Sequence, residues 1–354
     1  MSKIDLLDSQ INILLNLCYL KDKRNFSVHS PLLDTDIFDV ELQRSNWICE
    51  PAIDLETFKN NVEEARSKLP NHLMDEIPGT DPLRTVLIAS GAFDLEHFGE
   101  DLLHTIRRLK GNIGNFTLCF DTNVLYKSFV SSTLTAALEE EGLSGNMEMI
   151  LSNMVSNEVR EKYNQRYKKE EVDKLAEVGG KKFQDFNEQY KLVSRKAKLA
   201  HAEMDYIDRK MTSIFHGDED YVDDSEVRDL RIIKEYEDSK GETKKKPILL
   251  GFEKDFPEKI EDFDVDFVLL EQPDPSQANI NHQNLYLLLR YTAQIFGYVK
   301  LKGVGCGLQG IWPSMQDDEF GRGKVKARFD KNSEIDKAIK EAVKVSSSVR
   351  EVMN

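Results

Sequence analysis

Four cysteines in 354 residues, Cys18, Cys49, Cys119 and Cys306, lie far apart and make no Cys-x-x-Cys pair. That scarcity excludes a disulfide-stapled scaffold and the common structural zinc motifs. It leaves buried free thiols in a reducing compartment as the expectation. Long hydrophobic runs are missing as well. No stretch approaches the ~18 apolar residues of a membrane span, and the opening Met-Ser-Lys-Ile-Asp lacks the charged and apolar regions of a signal peptide. A soluble cytoplasmic protein with no membrane partner is therefore expected. Several catalytic signatures are also absent: Gly-x-Ser-x-Gly, His-Glu-x-x-His and the Walker Gly-x-x-x-x-Gly-Lys. Gly305-Cys-Gly307-Leu-Gln-Gly310 has the spacing of a dinucleotide loop, but Trp312-Pro313 follows where that loop needs a long helix, so tight turns are expected. His201-Ala-Glu203 has no downstream Pro-Cys-x-x-Cys, which sets aside a zinc deaminase. His29, His72, His97 and His104 form no i, i+4 ligand pair and are expected in core or surface roles.

Acid is abundant but uneven. The formal net charge is -15, which opposes non-specific attraction to nucleic acid over the surface as a whole. Residues 160–200 nevertheless hold twelve Lys and Arg against seven Asp and Glu. Tyr163, Tyr167, Phe183, Phe186 and Tyr190 are interleaved among these charges, and the segment reads as two charged helices joined at Gly179-Gly180. Such a basic hairpin, at about residues 160–215, is either a solvated arm or a grip on a phosphate backbone. Arg166, Lys168, Lys169, Lys181, Lys182, Arg195 and Lys196 are its candidate nucleic-acid contacts. A second alternation, Arg322, Lys324, Lys326 and Arg328, reads as a charge-protected edge strand or a further backbone-contact strip.

Length and pattern divide the chain into three parts. Residues 1–112 form an N-terminal accessory region, with helices expected over 4–20, 55–69 and 100–109 and a buried strand at 85–89. Residues 276–354 form a C-terminal accessory α+β region, with helices from Gln283 and from Ser333. Between them, residues 113–275 alternate strand and helix, the pattern of an α/β domain with a parallel sheet. Its first strand, residues 116–120, runs straight into Asp121. Ligands of open α/β sheets bind beyond the carboxyl ends of the strands, so this carboxylate is placed where chemistry is expected. Glu158 lies on the helix after the next strand, at the border of its apolar face. The run from His216 to Leu230 holds seven acids. Asp223 or Asp224 suits a helix N-cap, but Asp218, Asp220 and Asp223 together need solvent or a cation. The strand beginning at Pro247 ends on Glu253 and Asp255.

Taken in order, Asp121-Thr-Asn-Val-Leu, Ser152-Asn-Met-Val-Ser-Asn-Glu158-Val, Asp224-Ser-Glu-Val and Ile248-Leu-Leu-Gly-Phe-Glu253-Lys-Asp255 resemble the PIN-domain ribonucleases. The resemblance covers about residues 115–272. It implies a PIN-like α/β/α domain and an endoribonuclease that uses Mg²⁺ or Mn²⁺ to hydrolyse RNA, with DNA left open as a substrate. Asp121, Glu158 and Asp224 match the family's acidic triad, and Glu253 matches its fourth acid. Asp220, Asp223 and Asp255 compete as ligands, while Thr122 and Asn123 are the polar neighbours that orient Asp121 or its bound water. Hard divalent cations want such oxygen donors. The chain departs from the family pattern in having Glu253 where Asp is usual and Gly251 where a hydroxyl residue is common. The competing reading is a PIN-like scaffold of weak catalytic power that binds RNA or protein through the basic hairpin. Either reading leaves room for a homodimer or a protein partner.

Overall fold

The computed structural model describes residues 2–43, 46–112, 114–143, 147–210, 212–216, 224–330 and 334–353. Twelve strands occur among them. The first four are β1 (Ser2–Leu6), β2 (Asn25–Ser30), β3 (Thr35–Gln43) and β4 (Asn46–Pro51). Next come β5 (Phe116–Phe120), β6 (Glu148–Ser152), β7 (Thr212–His216), β8 (Lys246–Gly251) and β9 (Asp266–Leu269). The last are β10 (Tyr298–Lys302), β11 (Cys306–Gln309) and β12 (Val325–Phe329). Two compact units result. One comprises Met1–Ala92, Gln165–Arg195 and Pro275–Asn354, the other Phe93–Asn164 and Lys196–Asp274.

The first unit is built on one seven-stranded antiparallel sheet in the order β1-β12-β11-β10-β2-β3-β4. The regions set apart by sequence as 1–112 and 276–354 thus share a sheet, because β1 pairs with β12 and β2 with β10. Pairings this distant in sequence leave no local periodicity to read. β12 has a neighbour on each side, so the Arg322 to Arg328 alternation is not an edge strand. Its charges are matched instead: Lys324 and Lys326 meet Asp5, and the buried Arg328 meets Asp185. The helix His282–Phe296 buries Leu285, Leu288, Leu289 and Phe296. A side chain at Gly310 would collide with that helix, its Cβ 2.2 Å from the Ala293 carbonyl oxygen. Close backbone approach, rather than phosphate binding, accounts for this glycine of the dinucleotide-like loop.

Residues 85–89 are not a strand but the end of the helix Thr80–Ala89. Thr85, Val86, Leu87, Ile88 and Ala89 are all buried, and a helix covered on every side shows no amphipathic period to distinguish it from a core strand. The basic arm also differs from two helices meeting at the glycine pair. A helix, Lys169–Gly179, is followed by a 3₁₀ turn, Lys181–Phe186, and the next helix, Leu192–Lys210, begins later.

The second unit carries a five-stranded sheet, β7-β6-β5-β8-β9, with every neighbouring pair parallel. It is an α/β domain, as its strand-helix alternation indicated, with one strand, β7, beyond those read from sequence. Leu118, Cys119, Phe120, Ile150, Leu151, Ile248, Leu249 and Leu250 are buried, the continuous apolar habit of parallel strands covered on both faces. Counted within this sheet the order is 3-2-1-4-5, so the winding reverses between β5 and β8. All four cysteines are buried free thiols. No helix among the described residues is long and apolar enough to cross a membrane.

Candidate functional site

The winding reversal creates a crevice at the carboxyl ends of β5 and β8, where neighbouring connections leave on opposite faces. Asp121 leaves β5 at that point and Glu253 follows β8. The Asp121 amide donates to Leu250 O at 3.0 Å, which joins the two strand ends. Gly251 contributes to the same closeness. A Cβ there would lie 3.0 Å from the Phe267 ring and 3.5 Å from the Asp121 Cβ, so a serine or threonine at this position would press on Phe267.

Asp121 caps the short helix Thr122–Tyr126. Its Oδ1 accepts from the Thr122 amide at 2.7 Å and its Oδ2 from the Asn123 amide at 3.3 Å. The side chains of these two residues then reach the other acids. Thr122 Oγ1 donates to Glu158 Oε2 at 2.7 Å, and Asn123 Nδ2 donates to Glu253 Oε1. Glu158 projects from the helix Asn153–Lys162, whose start is capped by Ser152 through the Met154 and Val155 amides. One turn on, Lys162 Nζ donates to Glu158 Oε1 at 2.6 Å.

Three carboxylates are therefore linked through one threonine and one asparagine. Burial, then the charges of Glu253 and Glu158, push the Asp121 carboxyl up to about 8 despite its two amide donors. Glu253 is raised for similar reasons, burial first and then the charges of Asp229 and Asp255. Crowding of this kind favours a bound proton or a bound cation.

The remaining candidates are placed differently. Asp224 is exposed and caps the helix Ser225–Thr243, accepting from the Val227 amide at 3.1 Å. Asp220 and Asp223 lie outside the described residues. Asp255 accepts from Lys259 Nζ at 2.6 Å, which holds its carboxyl below the ordinary range. Sequence reasoning passed over Asp229, on the same helix as Asp224. It is bonded to Lys259 at 2.7 Å, and its charge acts on Glu253. Its position just over one turn beyond the cap was the available signal. Glu235 was also missed: it is buried and accepts from Ser152 Oγ and, at 3.4 Å, from the Met154 amide. Next to it, Tyr236 Oη donates to Phe120 O at 2.7 Å and accepts from the Ser152 amide at 3.2 Å. Glu235 and Tyr236 thus tie the ends of β5 and β6 to this helix.

Among the described residues no three His, Cys, Asp or Glu side chains are arranged to hold a metal ion. Thr122, Asn123 and Lys162 occupy carboxylate oxygens that a cation would need. The donor chemistry itself fits Mg²⁺ or Mn²⁺, since the linked acids offer only hard oxygen ligands.

The basic residues divide by burial. Arg195 is fully buried, and Tyr167, Phe183, Phe186 and Tyr190 are buried too, so these four rings offer no platform for stacked bases. Arg166 is committed to its own hairpin, donating to Glu188 O at 2.8 Å and to Tyr190 Oη at 2.9 Å. Lys168, Lys169 and Lys181 are exposed, and Lys182 is half-buried. Lys196 is half-buried and belongs to the second unit, where Lys162 and Lys196 approach the Tyr126 ring at 5.7 and 5.6 Å. Glu158 acts on the Tyr126 hydroxyl and, after burial, holds it well above its ordinary range. Lys162 and Lys196 are thus among the cations near the acid cluster, as is Lys259 through Asp229 and Asp255.

No family model, no curated protein and no solved structure matches the chain.

Proposed function

We propose that the second unit is a divalent-metal-dependent endoribonuclease of the PIN type. The observation that carries this reading is the set Asp121, Glu158 and Glu253, linked through Thr122 and Asn123 beside the winding reversal of a parallel sheet. A carboxyl that burial, and then the charges of Glu253 and Glu158, lift to about 8 is costly unless its charge has a purpose. A pair of Mg²⁺ or Mn²⁺ ions, when bound, supplies Lewis acidity and lowers the pKa of a bound water for in-line attack on a phosphodiester. Asp121, Glu158 and Glu253 would hold the ions, with Asp229 completing the set. Asp224 would need to give up its cap to take part. Thr122 and Asn123 fix carboxylate orientation, while Lys162 and Lys196 flank Tyr126 and attract the substrate's phosphates. The products would carry a 5′-phosphate and a 3′-hydroxyl.

The scaffold reading keeps a place because of one contact. Lys162 sits on Glu158, where it cancels charge that a cation would otherwise neutralise. One comparison separates the two readings. In Mn²⁺, wild type should cleave a single-stranded RNA, and Asp121→Asn should lower the rate by about 100-fold or more. The variant should melt no lower than wild type, because Asn caps helices well and the substitution removes like-charge repulsion. Equal cleavage by both proteins would refute the nuclease; RNA binding by both with no cleavage would establish the scaffold.

A further inference from the structure

The first unit holds a cleft of about 410 Å³, within the size range of small-molecule sites. Its lining includes His29, Asp34, Asn61, Glu64, Lys68 and Lys300. His29 is only 6% exposed. It lies at a register shift in the β2–β3 pairing, and its Nδ1 is 2.8 Å from Asp36 Oδ1. A carboxylate can only accept, so Nδ1 carries the proton and the neutral ring keeps its lone pair on Nε2. Burial of His29 favours that neutral form, lowering its pKa. Nε2 has Asp34 Oδ1 at 3.8 Å, beyond hydrogen-bond reach.

The charges around this ring are mostly cancelled. Asp36 is bonded to Lys302 at 2.7 Å and Glu64 to Lys68 at 2.7 Å. Lys300 stands directly across the ladder from His29 and has no ion pair among the described residues. The cleft therefore offers one fixed acceptor, His29 Nε2, beside one uncommitted cation, Lys300. Asp34 is the opposing charge. Its side chain is 98% exposed, so water screens it.

We propose that this cleft is a second ligand site, taking a phosphate group that still carries a proton, either as free phosphate or as a small phosphate monoester. The phosphate hydroxyl donates to His29 Nε2, and the anionic oxygens accept from Lys300. Sulfate has the same shape but no proton to donate, so a site built on an acceptor discriminates against it.

Titration calorimetry on the full chain tests this with inorganic phosphate, phenyl phosphate and sulfate. The pH should be about 6, near the second pKa of a phosphomonoester. Saturable phosphate binding is expected, with sulfate weaker by about tenfold or more. Lys300→Ala should weaken phosphate by about tenfold. His29→Asn, which keeps a donor for Asp36 and removes Nε2, should erase the preference over sulfate. Asp34→Asn should tighten binding. Stronger binding of phenyl phosphate than of inorganic phosphate identifies a monoester site, and the reverse a free-phosphate site. The proposal is overturned if neither phosphate binds saturably, if sulfate binds as well as phosphate, or if Lys300→Ala leaves the affinity unchanged. The exposed Lys300 makes that last variant decisive even if His29→Asn does not fold.

Discussion

In the antiparallel sheet of the first unit, charge is answered where it stands: Lys324 and Lys326 by Asp5, Arg328 by Asp185, and Asp36 by Lys302. At the carboxyl edge of the parallel sheet the acids are instead gathered against one another. Asp121 is buried with amide donors only, and Glu253 and Glu158 both raise its pKa. Neutralised pairs cost little and do little. A crowd of like charges held by a buried scaffold is a departure that stability alone does not require, and that is where function is expected.

Four substitutions would break or sharpen this contrast. The largest effect is expected at the linkers between the acids. Thr122→Val and Asn123→Ala each remove a side-chain donor while leaving the backbone amides that hold Asp121. Metal-dependent cleavage should fall by about 10–100-fold, and unchanged rates in both would detach these residues from the cluster.

The next effect is read in stability rather than in rate and concerns another buried acid of the parallel unit, after Asp121 and Glu235. Glu203 accepts from the Ser131 amide at 2.7 Å and from its hydroxyl, in a π-helical stretch, Val130–Leu134. Burial outweighs these donors and pushes the carboxyl up to about 7 from 4.5. The folded state thus binds the proton more tightly than the unfolded chain does. Its contribution is complete below about pH 4.5, is lost as pH rises to about 7, and is flat beyond. By linkage the loss reaches about 3 kcal/mol. Denaturant melts of Glu203→Gln across that interval should show the decline removed; a decline of the same size would assign it to other groups.

The smallest effect is expected at the strand end. Gly251→Ser adds a hydroxyl at the end of β8 and crowds Phe267. Overpacking costs about 1–3 kcal/mol, readable as a lower denaturation midpoint, and a neutral result would show that the Phe267 ring yields easily.

Asp121 was legible because an apolar run ending on a carboxylate is a local signal, and the helix that follows it is capped by the same side chain. Glu158 was legible as the border residue of an amphipathic helix. Asp224 satisfied the local rule for a cap and does cap its helix, but capping and metal binding ask the same oxygen to face different ways. Asp229 was hidden inside an acidic run, since only folding brings its charge to act on Glu253. The basic arm misled for a related reason. Composition reports charge and aromatic content but not burial, and Arg195, Tyr167, Phe183, Phe186 and Tyr190 are all inside.

By itself the sequence determined the strand-helix alternation of the central region, the acids at its strand ends and the thiols left free, because these depend on residue type and short spacing. Tertiary structure decided that the two ends of the chain complete one antiparallel sheet. It also decided that the parallel sheet reverses its winding at Asp121 and Glu253, and that His29 and Lys300 line one cleft. Such pairings are fixed by hydrogen-bond ladders between distant segments, and no local pattern encodes which distant segment a strand will meet.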